Sequence, residues 1–204
     1  ADSGLAALPD REALAATLAP VTGPVARKMR TATRRAERTA VRLVTRDGPG
    51  ALCQRGLKAV QDAIGTYRAC GAIEPDSRHA WLALVVRQLP VRDDAWARMD
   101  PAHRDAHRRM WTDLVRRAQP GYIAAPASLL AFTAWQCGEG ALANIALERA
   151  LADDPGYSMA RLLYRAIEAG LPPSVAALPM TPEEVAASYA RPEAADLPGE
   201  TTTS

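Results

Sequence analysis

The sequence predicts an all-α fold, and three observations carry that prediction. Alanine and leucine supply most of an apolar content of 48%, while aromatics make up 5% and β-branched residues are sparse. Apolar residues recur at three- and four-residue steps along the chain. Helix caps and breakers punctuate it, and no segment alternates convincingly as a strand would. Arg42–Thr45 and Tyr122–Ala125 are the two weak exceptions, which helical period overrides. The expected architecture is a multi-helix orthogonal or solenoid-like array.

The first helix is expected from Pro9 to about Leu18, with Pro9 at its first position and Asp10 and Glu12 near the positive end of the dipole. Pro20, Gly23 and Pro24 break it, so residues 1–23 read as an N-terminal helix and linker. Residues 24–190 read as the helical domain. Its first helix, 24–46, lines up Val25, Met29, Ala32, Ala36, Ala40 and Leu43, and the turn Asp47-Gly48-Pro49-Gly50 ends it. The next, 51–69, carries Cys53, Leu57, Val60, Ile64 and Tyr67 on one stripe. Asp76 or Ser77 then caps a helix apolar on most faces, with Trp81, Leu82, Leu84, Val85 and Leu89. That helix is expected to be central and to stop at Pro90.

A short, poorly buried helix is expected at Asp93–Arg98. Asp100-Pro101 then supplies an N-cap and first position for a helix reaching Arg117, with Ala106 or His107, Met110, Trp111, Leu114 and Val115 inward. Pro120-Gly121 and Pro126 mark a loop. Helices follow at 127–137, 140–152 and 157–169, jointed at Gly138 and Asp154-Pro155. Thr181-Pro182-Glu183-Glu184 is a capping box that opens a last helix to about Tyr189. Residues 191–204, rich in Pro, Glu and Thr, read as a disordered tail.

The bulk numbers exclude several classes. A chain of 204 residues is long enough to bury a real core. Charged residues at 24% are ordinary for a globular protein. No run of 18 apolar residues occurs, so no membrane helix is expected. The start, ADSGLAALPD, has no basic region or long apolar run and does not read as a signal peptide; without an initiator Met, the chain reads as a fragment or processed form. Cys53, Cys70 and Cys137 are odd in number and widely spaced, which points to free thiols and a cytoplasmic setting. Lys28 and Lys58 are the sole lysines against abundant arginine, the signature of a GC-rich genome such as an actinobacterium's.

The stretch PASLLAFTAWQCGEGALANIALERALADDPGYSMA resembles one tetratricopeptide repeat, at residues 127–155. Leu130 and Ala131 sit at its large and small positions, Gly138 at the turn, and Ala143, Leu147 and Ala150 on the second helix, with Pro155 closing it. Small residues let two helices approach, and large ones fill the groove between them. Ala127 and Ala134 depart from the repeat's usual Trp and Tyr. Arg165 stands where a following repeat needs a small residue, so no second repeat is readable.

Over residues 79–190 a wider resemblance appears. HAWLALVVRQLPVRDDAWARMDPAHRDAH, the hairpin stretch and LPMTPEEVAASYA together resemble the C-terminal half of an uncharacterised actinobacterial family, domain of unknown function four-one-nine-two. The resemblance implies a cytosolic protein whose relatives carry a further N-terminal region. It assigns no activity and no functional residue.

Three constellations remain. The segment 27–46 holds Arg27, Lys28, Arg30, Arg34, Arg35, Arg38, Arg42 and Arg46, with Glu37 as its one acid. Such a stripe can follow phosphates, or dock an acidic region of the same protein, although no aromatics are interleaved. Val91–Arg98 gathers Arg92, Asp93, Asp94, Trp96 and Arg98 after Arg87, with Trp111 and Trp135 as expected neighbours; paired carboxylates beside a Trp can hold a ligand or serve acid–base chemistry, or simply cap and pair structurally. His103 and His107 have the i, i+4 spacing that can present two imidazoles to a metal, with Asp100 and His79 as further candidates. Without an HExxH motif, two partly exposed histidines on an Arg-rich face are expected instead.

No GxSxG, P-loop or GxGxxG occurs, and Cys137 lies at a helix end, where the dipole disfavours a thiolate. No catalytic residue, metal or cofactor is therefore expected. The expected function is a helical protein–protein interaction or scaffold module, partnered by another protein or by its own N-terminal region. The alternatives are a polyanion or nucleic-acid module using Arg27, Lys28, Arg34, Arg35, Arg38 and Arg42, and a ligand-binding or enzymatic site at Arg87, Asp93, Asp94, Trp96, Arg98 and Trp135.

Overall fold

The computed structural model describes residues 11–176 and 180–190. Among these are ten α-helices and no strand, in agreement with the expected all-α class. They are α1 (Arg11–Thr17), α2 (Gly23–Asp47), α3 (Pro49–Cys70), α4 (Asp76–Val85), α5 (Leu89–Ala97), α6 (Arg104–Arg117), α7 (Ala124–Gln136), α8 (Gly140–Asp153), α9 (Ser158–Glu168) and α10 (Pro182–Ala190). No helix among the described residues is long and apolar enough to cross a membrane. Pro9, Asp10 and the tail expected at 191–204 lie outside them.

The core is built around α7 rather than α4. Every residue from Ala124 to Trp135 is buried, so α7 has no outward face. It packs on α6, α8 and α9, while α3 packs on α2, α4, α5 and α6. Trp111 and Met110 of α6 fill the space where these two groups meet. Helices α7 and α8, which cover most of 127–155, pack against each other, and Leu130, Ala131, Ala143, Leu147 and Ala150 are all fully buried. Gly138 turns between them at φ +76°, a left-handed conformation that glycine adopts without strain.

Helix ends differ from expectation at prolines, and Pro49, expected within a turn, opens α3. α4 ends at Val85, and Pro90 opens α5 instead of closing α4. Proline is tolerated in a first turn, where its missing N–H has no intrahelical acceptor to lose. Pro126 likewise sits inside the first turn of α7, which begins at Ala124 and not at 127. What starts α7 is a carboxylate from another helix. Asp153, the last residue of α8, accepts from Gly121 N at 2.6 Å, Ile123 N at 2.8 Å and Ala124 N at 3.0 Å.

The segment expected as helix and linker also joins the core. Leu18 is fully buried, Val21 N donates to Arg116 O at 2.9 Å, and Arg149 hydrogen-bonds the Leu18 carbonyl. At the other end the capping box is reciprocal. Glu184 N donates to Thr181 Oγ1 at 3.2 Å, and Thr181 N donates to Glu184 Oε2 at 2.7 Å.

Close packing at α3 sets a prediction. A Cβ on Gly56 would lie 2.8 Å from Val91 Cγ2 and 3.0 Å from Val85 Cβ. Alanine would gain about 1 kcal/mol of helix propensity. Overpacking against two stiff valines costs about 1–3 kcal/mol, so Gly56→Ala is expected to lower stability by about 1 kcal/mol in urea denaturation. A stabilised variant would show that α3 can move away from α4 and α5 freely.

Candidate functional site

The basic face of α2 follows from its apolar face. Met29, Thr33, Ala36, Ala40 and Leu43 are buried at steps of three and four, against α3 and α4. The positions between them point outward, and there Arg27, Lys28, Arg30, Arg34, Arg35, Arg38 and Arg42 are exposed. The single acid in the row is already engaged: Glu37 is half-buried and accepts from Tyr122 OH at 2.6 Å. Burial, then this bond, raises the Tyr122 phenol above its ordinary value. Arg46 pairs with Asp47 at 2.6 Å, and Arg42 donates to Thr39 Oγ1 at 3.2 Å. Arg27, Lys28, Arg30, Arg34, Arg35, Arg38 and Arg42 have no carboxylate within ion-pair distance among the described residues. Arg27, Lys28 and Arg35 also line a recess of about 800 Å³ beside the start of α4, whose opposite wall carries Glu74 and Asp76 beyond ion-pair distance. Like charges at this density repel one another, and a bound anion would relieve that.

The element expected as short and poorly buried is neither exposed nor open. Val91, Arg92, Asp94, Ala95 and Trp96 of α5 are buried, because α5 is covered by α3 on one side and α10 on the other. Its carboxylates are engaged. Asp94, 3% exposed, accepts from Arg98 Nε at 2.7 Å and Nη2 at 2.9 Å. Asp93 takes Arg92 Nη2 at 2.7 Å on Oδ1 and the Tyr189 hydroxyl at 2.6 Å on Oδ2. Trp96 meets Phe132 edge-on, with ring centroids 5.5 Å apart. Trp135 is buried on α7. Arg87 stands away from this knot, 5.0 Å over the Tyr122 ring, in a recess with Asp153 and Tyr157.

The histidines separate. His103 is the N-cap of α6, with φ −118° and ψ 21°, so the i, i+4 relation of a regular helix does not apply to it. It is exposed, and its Nδ1 lies 2.9 Å from Asp100 Oδ2. Partial burial pushes the Asp100 carboxyl up, but hydrogen bonds from His103 outweigh that and hold it below its ordinary value. His107 is buried instead of partly exposed, and neither ring nitrogen has a partner. His79 is also buried, with Nε2 3.5 Å from Tyr67 OH, which donates to Asp113 Oδ2 at 2.8 Å. Burial first, then the Arg117 charge for His79 and the Arg68 charge for His107, pushes both imidazoles down to about 4. Among the described residues no three His, Cys, Asp or Glu side chains gather as a metal-holding group.

Three features were not read from the sequence: the Asp153 cap, the Tyr67–His79–Asp113 contact, and the arrival of Trp81 beside the basic helices. Each joins residues from separate elements, so no local spacing announces it.

Residues 1–174 match a family model described as a domain of unknown function (DUF4192). Comparison with curated proteins and with solved structures finds no match.

Proposed function

The chain belongs to the DUF4192 family, and from that premise we propose that it is a helical interaction module whose working surface is the outer face of α2, with a polyanion as its partner. One observation carries the reading: no carboxylate lies within ion-pair distance of the cations from Arg27 to Arg42 among the described residues, although the chain as a whole is nearly neutral at +2. A face that only needed solvation could mix both signs of charge, as the rest of the chain does. The remainder of the fold reads as scaffold. The α7–α8 pair is a tetratricopeptide-like packing unit, with small residues set against large ones. Three free thiols, Cys53, Cys70 and Cys137, fit a reducing, cytosolic setting.

The test is binding of a labelled mixed-sequence duplex and of heparin between 50 and 200 mM salt. Affinity is expected to fall steeply with salt. Arg34→Glu, Arg35→Glu and Arg38→Glu together are expected to weaken binding at least tenfold and to flatten the salt slope by roughly 0.9 per lost phosphate contact. All three side chains are exposed, so the urea midpoint should hardly move. Binding that ignores salt, or no measurable binding to any polyanion, would reject the reading. Capture of an acidic protein segment in place of both probes would replace it with a protein-docking role.

A further inference from the structure

The tryptophans divide three to one. Trp96, Trp111 and Trp135 are buried in the main core, while Trp81 is part-exposed on α4 and opens onto a groove between α2, α3 and α4. The groove is a chain of three recesses of about 410, 400 and 260 Å³. Thr39 and Arg55 are shared by the first and second, and Ala59, Asp62 and Trp81 by the second and third, so the space is continuous.

Its lining is strongly cationic. Arg42 and Arg46 enter from α2, Arg55 and Lys58 from α3, and Arg78 from α4. Asp62 is the one acid of the lining, and Lys58 pairs with it at 3.2 Å. Arg46 is held by Asp47. Arg42, Arg55 and Arg78 have no carboxylate within ion-pair distance among the described residues. The groove thus joins spare positive charge along its length to one aromatic ring.

We propose that this groove binds single-stranded nucleic acid, its backbone following Arg42 and Arg55 and one base stacking on Trp81. The proposal rests on the polyanion reading of α2 and narrows it. Unpaired cations attract phosphates, and a partly open aromatic ring accepts any base, because every base has a π-face. A duplex keeps its base faces inside its own stack and offers none to Trp81. An acidic peptide would satisfy the arginines and leave the indole without a partner. The interleaved aromatic missing from the α2 sequence is supplied by another helix.

The experiment compares a labelled oligothymidylate of about 20 nucleotides with a duplex of equal length, a single strand of that length being enough to span one groove. The oligomer is expected to bind at least tenfold tighter than the duplex and to quench tryptophan emission. Trp81→Leu, which keeps apolar bulk, is expected to abolish most of the quench and to lower oligomer affinity roughly tenfold, leaving duplex affinity unchanged. Trp81 packs on the core, so Arg55→Glu on the exposed side of α3 serves as a second variant, with a similar loss expected. Equal or tighter duplex binding, equal binding of polyglutamate, or indifference to both substitutions overturns the proposal. If the α2 charge reversals still abolish salt-dependent binding while Trp81→Leu and Arg55→Glu do nothing, the groove proposal fails alone. If no polyanion binds at all, it fails together with the reading beneath it.

Discussion

Between pH 7 and pH 4.5 the protein is expected to lose on the order of 4–6 kcal/mol of stability, and two buried histidines are the cause. His79 and His107 are 2% and 1% exposed, and burial pushes each down to about 4 from an ordinary 6.5. In the unfolded chain both bind protons as the pH falls through 6.5. In the folded chain they resist until about 4. Between those values the unfolded state holds more protons, so stability rises with pH there. The contribution is complete above about 6.5 and is lost as pH falls toward 4. At 1.36 kcal/mol per pKa unit, each histidine is worth about 2–3 kcal/mol across the window. Arg117 and Arg78 near His79 act in the same direction as burial, and Asp113 and Asp76 oppose it. Around His107, Arg68 and His103 assist burial and Asp100 opposes it. Urea denaturation at the two pH values measures the loss. His107→Leu should remove about half of the pH dependence, because its ring nitrogens have no partners to lose. Equal midpoints at pH 7 and pH 4.5 would refute the assignment.

Asp153→Ala is expected to cost about 3 kcal/mol, through α7. The carboxylate takes three backbone N–H groups at the entry to the most buried helix, all within 2.6–3.0 Å. An N-cap deletion costs about 0.5–2 kcal/mol, and stranded part-buried donors add about 1–3 kcal/mol more. At roughly 2–4 °C per kcal/mol for a chain of this size, the melting temperature should fall by about 6–12 °C. Asp153→Asn keeps one acceptor oxygen and should recover part of the loss. A shift under 2 °C for Asp153→Ala would mean that α7 starts by its own propensity.

The same residue shows where sequence reading stops. Helix α10 was legible because its cap is local: Thr181 and Glu184 bond each other's backbone N–H groups across three residues. The start of α7 was not, because its cap lies 29 residues onward at the end of α8. Pro126 then suggested a loop, though it rests in a first turn. The stripe of Met29, Ala36, Ala40 and Leu43 identified α2 and placed its arginines outward, so half of the candidate site was readable from period alone. Trp81 could be seen to be helical but not to face α3. Its partners lie across two interhelix packings that no period encodes. Burial of α5 escaped notice for a related reason. A segment reading VRDDAWAR looks polar until Arg98 and Arg92 neutralise its acids and α10 covers it.

Helix α2 holds to the molecule through its buried stripe of Met29, Thr33, Ala36, Ala40 and Leu43, and Met29, Ala36 and Ala80 of α4 form a cluster apart from the main core. Its arginines take no share in that attachment. A change at Arg34, Arg35 or Arg38 is therefore expected to be nearly invisible to folding, and on the proposed role of this face selection acting there would read recognition alone. On that proposal, variation on this face between related chains would record a change of partner, whereas variation on the buried face would record repair of the fold. The two histories are written on opposite sides of one helix.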